Sequence, residues 1–197
     1  MRQIWTDSAT RVDIPTRFGI VPVVVAARTT TPRGTVLLAH GRNGAPDQAQ
    51  IAEIAEAYLA RDWRVAAPEL PNSIALPNSG PPEEVTFTRH AQATAEVWAW
   101  LVRQWPDTPQ ALAGHSIGAF AIAQLAGAAP EAHHLLAVSP PISGLVLLSA
   151  REALGPAAIE AVQRDDGYLN TNFDNPGQEP RYSYFEWGHG AAVRRSF

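Results

Sequence analysis

The residue best placed to do covalent chemistry in this sequence is a serine. Ala111-Leu112-Ala113-Gly114-His115-Ser116-Ile117-Gly118-Ala119 contains the pattern G-x-S-x-G, with an apolar run before it and small residues after it. Set between a strand and a helix, such a pattern makes a sharp turn in which Ser116 takes a strained backbone conformation and exposes its hydroxyl. Gly114 and Gly118 carry no side chains, so strand and helix can approach closely. The backbone N–H of Ile117 would then face the oxygen of a bound carbonyl, and the positive end of the helix dipole would add to its stabilisation. The chemistry implied is attack by a serine oxygen on a carbonyl carbon. Five residues with three fixed types also arise by chance, so the weight of the pattern depends on its surroundings.

What the chain lacks narrows the alternatives. Among its 197 residues there is no cysteine, and all 15 basic residues are arginine. Thiol nucleophiles, disulfides and cysteine-held metals are excluded, as are a lysine Schiff base and a phosphate-binding P-loop lysine. If a nucleophile works from this turn, serine has to be it. The formal charge of −4 argues against a nucleic-acid or anionic-membrane binder. No apolar run approaches the roughly 18 residues of a membrane span. Met1–Asp7 carries no apolar segment of a signal peptide, so a cytoplasmic location is expected. Hydrophobic residues make up 46% of the chain, enough for a substantial core.

The elements that must hold the serine can be read from periodicity. Arg11–Phe18, a turn at Gly19 and the β-branched run Val21–Ala27 predict an N-terminal hairpin, with Pro22 suggesting an edge or strand-start position. Thr35–Ala39 is continuously apolar, as in a strand buried on both faces. A helix is expected from an N-cap at Asp47 through Ile51, Ile54, Ala55, Tyr58 and Leu59. Trp63–Ala67 reads as a strand ending at Pro68, followed by a Pro-, Asn- and Gly-rich loop from Glu69 to Pro82. Thr86–Gln104 predicts a helix with Val97, Trp98, Leu101, Val102 and Trp105 buried. Gln110–Ala113 is a strand leading into the serine turn, and a helix then runs through Ala129. One further strand lies at Leu135–Ser139 or at Leu145–Ser149, and Arg151–Arg164 reads as helical. Strands alternating with helices predict an α/β fold, taken as one domain over residues 1–197, with a mainly parallel sheet flanked by helices. Between Arg151 and Pro180 no strand stands out, whereas Arg181–Trp187 reads as an aromatic strand.

The Thr35–Ala39 strand runs directly into His40-Gly41-Arg42-Asn43-Gly44. With this second motif, 76 residues before Ser116, the sequence resembles the α/β-hydrolase family. The resemblance spans about Arg11 to Ala150 and implies the fold of that family, and the few residues left after Ala150 leave no room for a lid domain. It also implies that the N–H of Arg42 completes an oxyanion hole opposite Ile117, with His40 bracing the loop rather than acting as a base. In the family order of serine, acid, histidine, the base would be His189, in Trp187-Gly188-His189-Gly190. A surface position in the C-terminal tail is the other reading of His189. The acid would be Asp174, with Asp166 and Glu152 as alternatives, although turn chemistry also accounts for the Asp165–Asp174 group. His90, His115, His133 and His134 are expected to be structural, the last two facing different ways.

The resulting expectation is a serine hydrolase, of carboxylic-ester hydrolase type, acting on an ester, thioester or amide of modest size. It needs no metal and no cofactor, and the Glu69–Pro82 loop is a candidate wall for its small-molecule substrate. The 47 residues after Ala150 are few for two further strand–helix pairs, which take roughly 30 residues per strand–helix–strand unit. A reduced C-terminal part is therefore expected. It motivates the alternative of a catalytically impaired or truncated member that serves as a binding or scaffold module. A lyase or haloperoxidase without a cofactor would use the same turn. A homodimer through a sheet edge is a further expectation.

Overall fold

The computed structural model describes residues 5–42, 44–73, 75–81, 84–129 and 131–141, and the backbone of 167–169 and 181–183. Strands β1 (Thr10–Thr16) and β2 (Gly19–Ala26) form the expected antiparallel hairpin, paired from Thr10↔Val25 to Thr16↔Gly19. Four parallel strands follow: β3 (Gly34–Ala39), β4 (Trp63–Pro68), β5 (Gln110–His115) and β6 (Leu135–Val138). They are linked by helices α1 (Ala49–Leu59), α2 (Phe87–Gln104) and α3 (Ile117–Ala126). The sheet runs in the order β1-β2-β4-β3-β5-β6, with β2 antiparallel to β4. Of the two places for the sixth strand, the structure uses Leu135–Val138.

One strand shows how the two-layer core arises. Successive side chains of a strand point to opposite faces. On β3, Val36 and Leu38 join Ile51, Ala55 and Leu59 of α1, whereas Leu37 and Ala39 join Val97, Leu101 and Ile122 of α2 and α3. All six residues of β3 are buried, which is why this stretch is apolar without alternation. Each fully buried Leu or Val contributes about 1.5–3 kcal/mol from removing its side chain from water. Trp5, in a short 3-10 turn (Trp5–Ser8), closes the α1 face and donates its indole N–H to Pro46 O at 3.0 Å.

Several local expectations are corrected. Pro22 does not mark an edge strand, because β1 is the edge and β2 lies inside it. The β2–β4 ladder begins at Val23↔Pro68, and the Pro22 carbonyl, on that same side, accepts from Glu69 N at 2.8 Å. The Pro22–Glu69 pair thus keeps one of its two bonds, and the missing proline N–H ends the ladder with β4 at this point. Asp47 does not cap α1. A turn closed by Gln48 N–H on Ala45 O carries the chain one residue further, so Gln48 is the N-cap. Helix α3 ends at Ala126, and tighter turns such as Ala128 N–H to Leu125 O carry the chain onward. Val102 and Trp105 are only half-buried, since α2 ends at Gln104 and Trp105 turns out of the helix with Arg64 over its ring. Helix α2 starts one residue later than expected, at Phe87, with Thr86 as its N-cap: the Thr86 hydroxyl accepts from Arg89 N–H at 3.1 Å.

Beyond residue 141, the described backbone holds a small antiparallel pair, β7 (Gly167–Leu169) with β8 (Arg181–Ser183). A strand does therefore lie between Arg151 and Pro180. Three residues starting with glycine give too short a pattern to recognise. The expected helix Arg151–Arg164 and the alternative strand Leu145–Ser149 lie outside the described residues.

Candidate active site

Ser116 stands at the carboxyl end of β5, at the first helical step into α3. Its backbone lies at φ 56, ψ −125, a conformation that costs a non-glycine residue on the order of 1–3 kcal/mol. Local packing forces it. A Cβ on Gly118 would lie 2.3 Å from Ala39 O and 2.4 Å from His40 O, and one on Gly114 would lie 2.6 Å from Gly118 O. The start of α3 is thus pressed against the end of β3, and the chain must reverse sharply at Ser116 to get there. The Ser116 N–H donates to Val138 O at 2.9 Å, which ties the turn to β6. The first N–H groups of α3, Ile117 among them, have no intrahelical acceptor and carry the positive end of the helix dipole.

The loop after β3 meets this turn. A Cβ on Gly41 would lie 3.0 Å from Ser116 Cβ. His40 sits behind it, buried, with Nε2 accepting from Leu70 N–H at 2.9 Å and Nδ1 donating to Gly41 O at 2.6 Å. Burial pushes this imidazole down to about 4, against a weaker upward pull from the Gly41 hydrogen bond. His40 is therefore neutral at ordinary pH and fully engaged with backbone, as a brace must be. His90, on α2, is also buried and donates from Nε2 to His40 O at 2.9 Å. Burial, and then the neighbouring His40, hold it down to about 3.

A cleft of about 330 Å³ opens over the serine, lined among others by Gly41, Arg42, Gln48, Phe87, Ser116 and Ile117. That volume lies at the small end for a ligand pocket. A larger groove of about 740 Å³ lies elsewhere, between the β1–β2 hairpin and the Pro-rich loop. It holds none of the residues of the serine turn, so the smaller cleft is the chemically relevant one. The structure thus brings Ser116, Ile117 and Arg42 to one cleft. His189, Asp174, Asp166 and Glu152 lie outside the described residues. Among the described residues, no group of three or more His, Cys, Asp or Glu gathers to hold a metal ion. No described helix is long and apolar enough to cross a membrane.

The Pro-rich loop is corrected from substrate wall to buttress. Its described residues do not line the serine cleft. Instead Leu70 N–H binds the His40 ring, and the buried Ser73 hydroxyl donates to Gly44 O at 2.6 Å. The loop closes on itself through Asn72 N–H to Ser79 O and Asn72 Nδ2 to Pro81 O. His115, expected to be structural with its side chain away from Ser116, lines the cleft beside it. His133 and His134 do not diverge: their Nδ1 atoms lie 2.8 Å apart, and His134 stacks on Tyr58 at the opposite end of the sheet. Gln48 and Gln50 also line the cleft, with Gln50 Nε2 donating to Gln48 Oε1 at 3.0 Å, and no sequence pattern marked them. Glutamine at a helix start has no local signature.

A family model described as the alpha/beta hydrolase family matches residues 36–196. No curated protein matches the sequence. Among solved structures, the chain is similar to a serine hydrolase without a lid from Xanthomonas campestris, at 17% identity over 72% of this chain and 65% of that one, TM-score 0.59. It is similar to Est1E from Butyrivibrio proteoclasticus, solved with ferulic acid bound, at 12% identity over 98% and 70%, TM-score 0.66. It is also similar to the thioesterase domain from the curacin biosynthetic pathway, at 21% identity over 80% and 51%, TM-score 0.55. At such identities the likeness speaks for the fold. The match covers just under two thirds of the lidless hydrolase and about half of the thioesterase domain.

Proposed function

The chain belongs to the alpha/beta hydrolase family, and from that premise we propose that it is a serine hydrolase cleaving an ester, thioester or amide of small to medium size. The observation that carries this reading is the strained Ser116, φ 56, held against the Gly41–Arg42 loop over a common cleft. In this reading the Ser116 oxygen attacks the substrate carbonyl as its proton passes to His189. Asp174 orients that imidazole, with Asp166 and Glu152 as the other carboxylates for the role. The N–H groups of Ile117 and Arg42 bind the developing oxyanion. Donors aimed where charge develops are each worth about 2.7–4 kcal/mol of transition-state stabilisation. The tetrahedral intermediate collapses, expels the alcohol, thiol or amine protonated by His189, and leaves an acyl-serine. Water, deprotonated by His189, then releases the acid and restores the serine.

The cleft volume favours a compact acyl group, and relatives that include a ferulic-acid-bound protein and a thioesterase domain make esters of aromatic acids and acyl thioesters the first substrates to try. A fluorophosphonate probe tests the nucleophile. Labelling of the folded wild type that is lost in Ser116→Ala, together with a fall of at least roughly 1,000-fold in ester hydrolysis, is the expected result. A folded wild type that takes no label overturns the reading and leaves a binding module of the same fold.

A further inference from the structure

We propose that His90, on α2, is a positioning residue for the oxyanion-binding N–H of Arg42, acting through His40. This rests on the hydrolase reading of the cleft and adds to it a residue that does not itself line the cleft.

A trans peptide is planar and holds its C=O and N–H pointing opposite ways. The Gly41 carbonyl and the Arg42 N–H belong to one such plane. That carbonyl is held from behind twice, by His40 Nδ1 at 2.6 Å and by Gly44 N–H at 3.0 Å. The Arg42 N–H is therefore aimed away from the His40 ring, and Gly41 and Arg42 line the same cleft as Ser116. The preceding plane, between His40 and Gly41, is held in turn by the His90 Nε2–H on His40 O at 2.9 Å. Two consecutive peptide planes are thus clamped by two imidazoles, which pack edge to face with centroids 5.7 Å apart.

The anchors of the clamp are rigid. His40 Nε2 is fixed by Leu70 N–H. His90 sits in the first turn of α2, with its N–H on Thr86 O and its carbonyl accepting from the Thr94 hydroxyl at 2.8 Å. Its Nδ1 is buried with no hydrogen-bond partner, as suits a neutral ring whose single proton is on Nε2. Burial keeps both rings neutral through the pH range where a serine–histidine pair works, so the clamp holds one tautomeric state. Neither ring is free to serve as the base.

The test separates donation from bulk. His90→Gln keeps an N–H donor near the Nε2 position, and His90→Leu keeps volume alone. Wild type and both variants are compared for kcat and KM on an activated aryl ester, and for affinity toward a trifluoromethyl ketone, which forms an oxyanion, against the matching amide, which does not. We expect His90→Leu to lose roughly 10- to 100-fold in kcat and a similar factor in ketone affinity, with KM and amide affinity changed less than about 3-fold. His90→Gln should recover most of the loss. Equal losses for ketone and amide, no loss, or a Gln variant no better than Leu would each overturn the inference. If His90→Leu does not fold, His90→Asn, whose donor falls short of His40 O, takes its place: equal activity in Asn and Gln overturns the proposal, and at least 10-fold higher activity in Gln supports it. A wild type that neither hydrolyses the ester nor takes the fluorophosphonate overturns the hydrolase reading itself, a result distinct from all of these.

Discussion

The two N–H groups proposed to hold the oxyanion are fixed in opposite ways. The Ile117 side is made locally: within five residues, two glycines and a strained serine turn a strand into a helix, and backbone contacts with β3 leave no other path. The Arg42 side is made at long range. Its loop is held by side chains and backbone from α2, from the strand end after β4 and from the Pro-rich loop, through His90, Leu70 and Ser73. The first device resists change until it breaks. The second is spread over several bonds, each modest alone, and can be weakened by steps.

That contrast can be broken on purpose. The largest effect is expected on the local side. Gly118→Val would place atoms within 2.3 Å of Ala39 O, a backbone atom that no rotamer change relieves. It should cost about 4 kcal/mol or more, or abolish folding, as read from the urea midpoint. The next effect comes from acid on the long-range side. Both histidines bind a proton more weakly folded, at about 4 and about 3, than unfolded, near 6.5. Wherever the unfolded chain binds more protons, stability falls as pH falls. Their contribution should therefore be complete above pH 6.5 and be lost progressively from there to about 4, then 3. For His40 the shift corresponds to something on the order of 3 kcal/mol. Urea midpoints between pH 7.5 and 4 measure it, and His40→Gln should flatten the slope. A wild-type profile that is already flat would mean the rings are not held neutral. The smallest effect is Ser73→Ala. It removes the donor to Gly44 O and should cost about 1–3 kcal/mol because a buried carbonyl loses its partner. Hydrolysis and the rate of fluorophosphonate labelling should fall together, because the phosphonyl oxygen uses the same N–H donors.

The same contrast explains what could be read in the sequence. Gly114-His115-Ser116-Ile117-Gly118 is contiguous, so its chemistry and its backbone demands are visible together. The continuous apolar run of β3 and the stripe on α2 announce themselves for the same reason: burial pattern follows local period. The brace role of His40 was legible only through resemblance. Its partner His90 lies 50 residues away on an amphipathic helix, where nothing local distinguishes a donor from filler. The Pro-rich loop misled in a physical way. Its composition says that it turns often, but not which loop its inward-facing Ser73 will meet. Pro22 was legible in part: it marks where pairing with β4 begins, but its residue type does not say that β1 covers the other side of the strand.

The backbone at Ser116 carries a further meaning for how this chain can drift. Glycine would sit at φ 56, ψ −125 without strain, so exchanging the serine would relieve on the order of 1 kcal/mol or more. A lineage with no use for the hydroxyl would gain stability by a single substitution at one codon. Natural proteins sit close above their stability threshold, where such gains are easily found. A serine kept at that position sets fold against chemistry, and the fold alone would have chosen glycine.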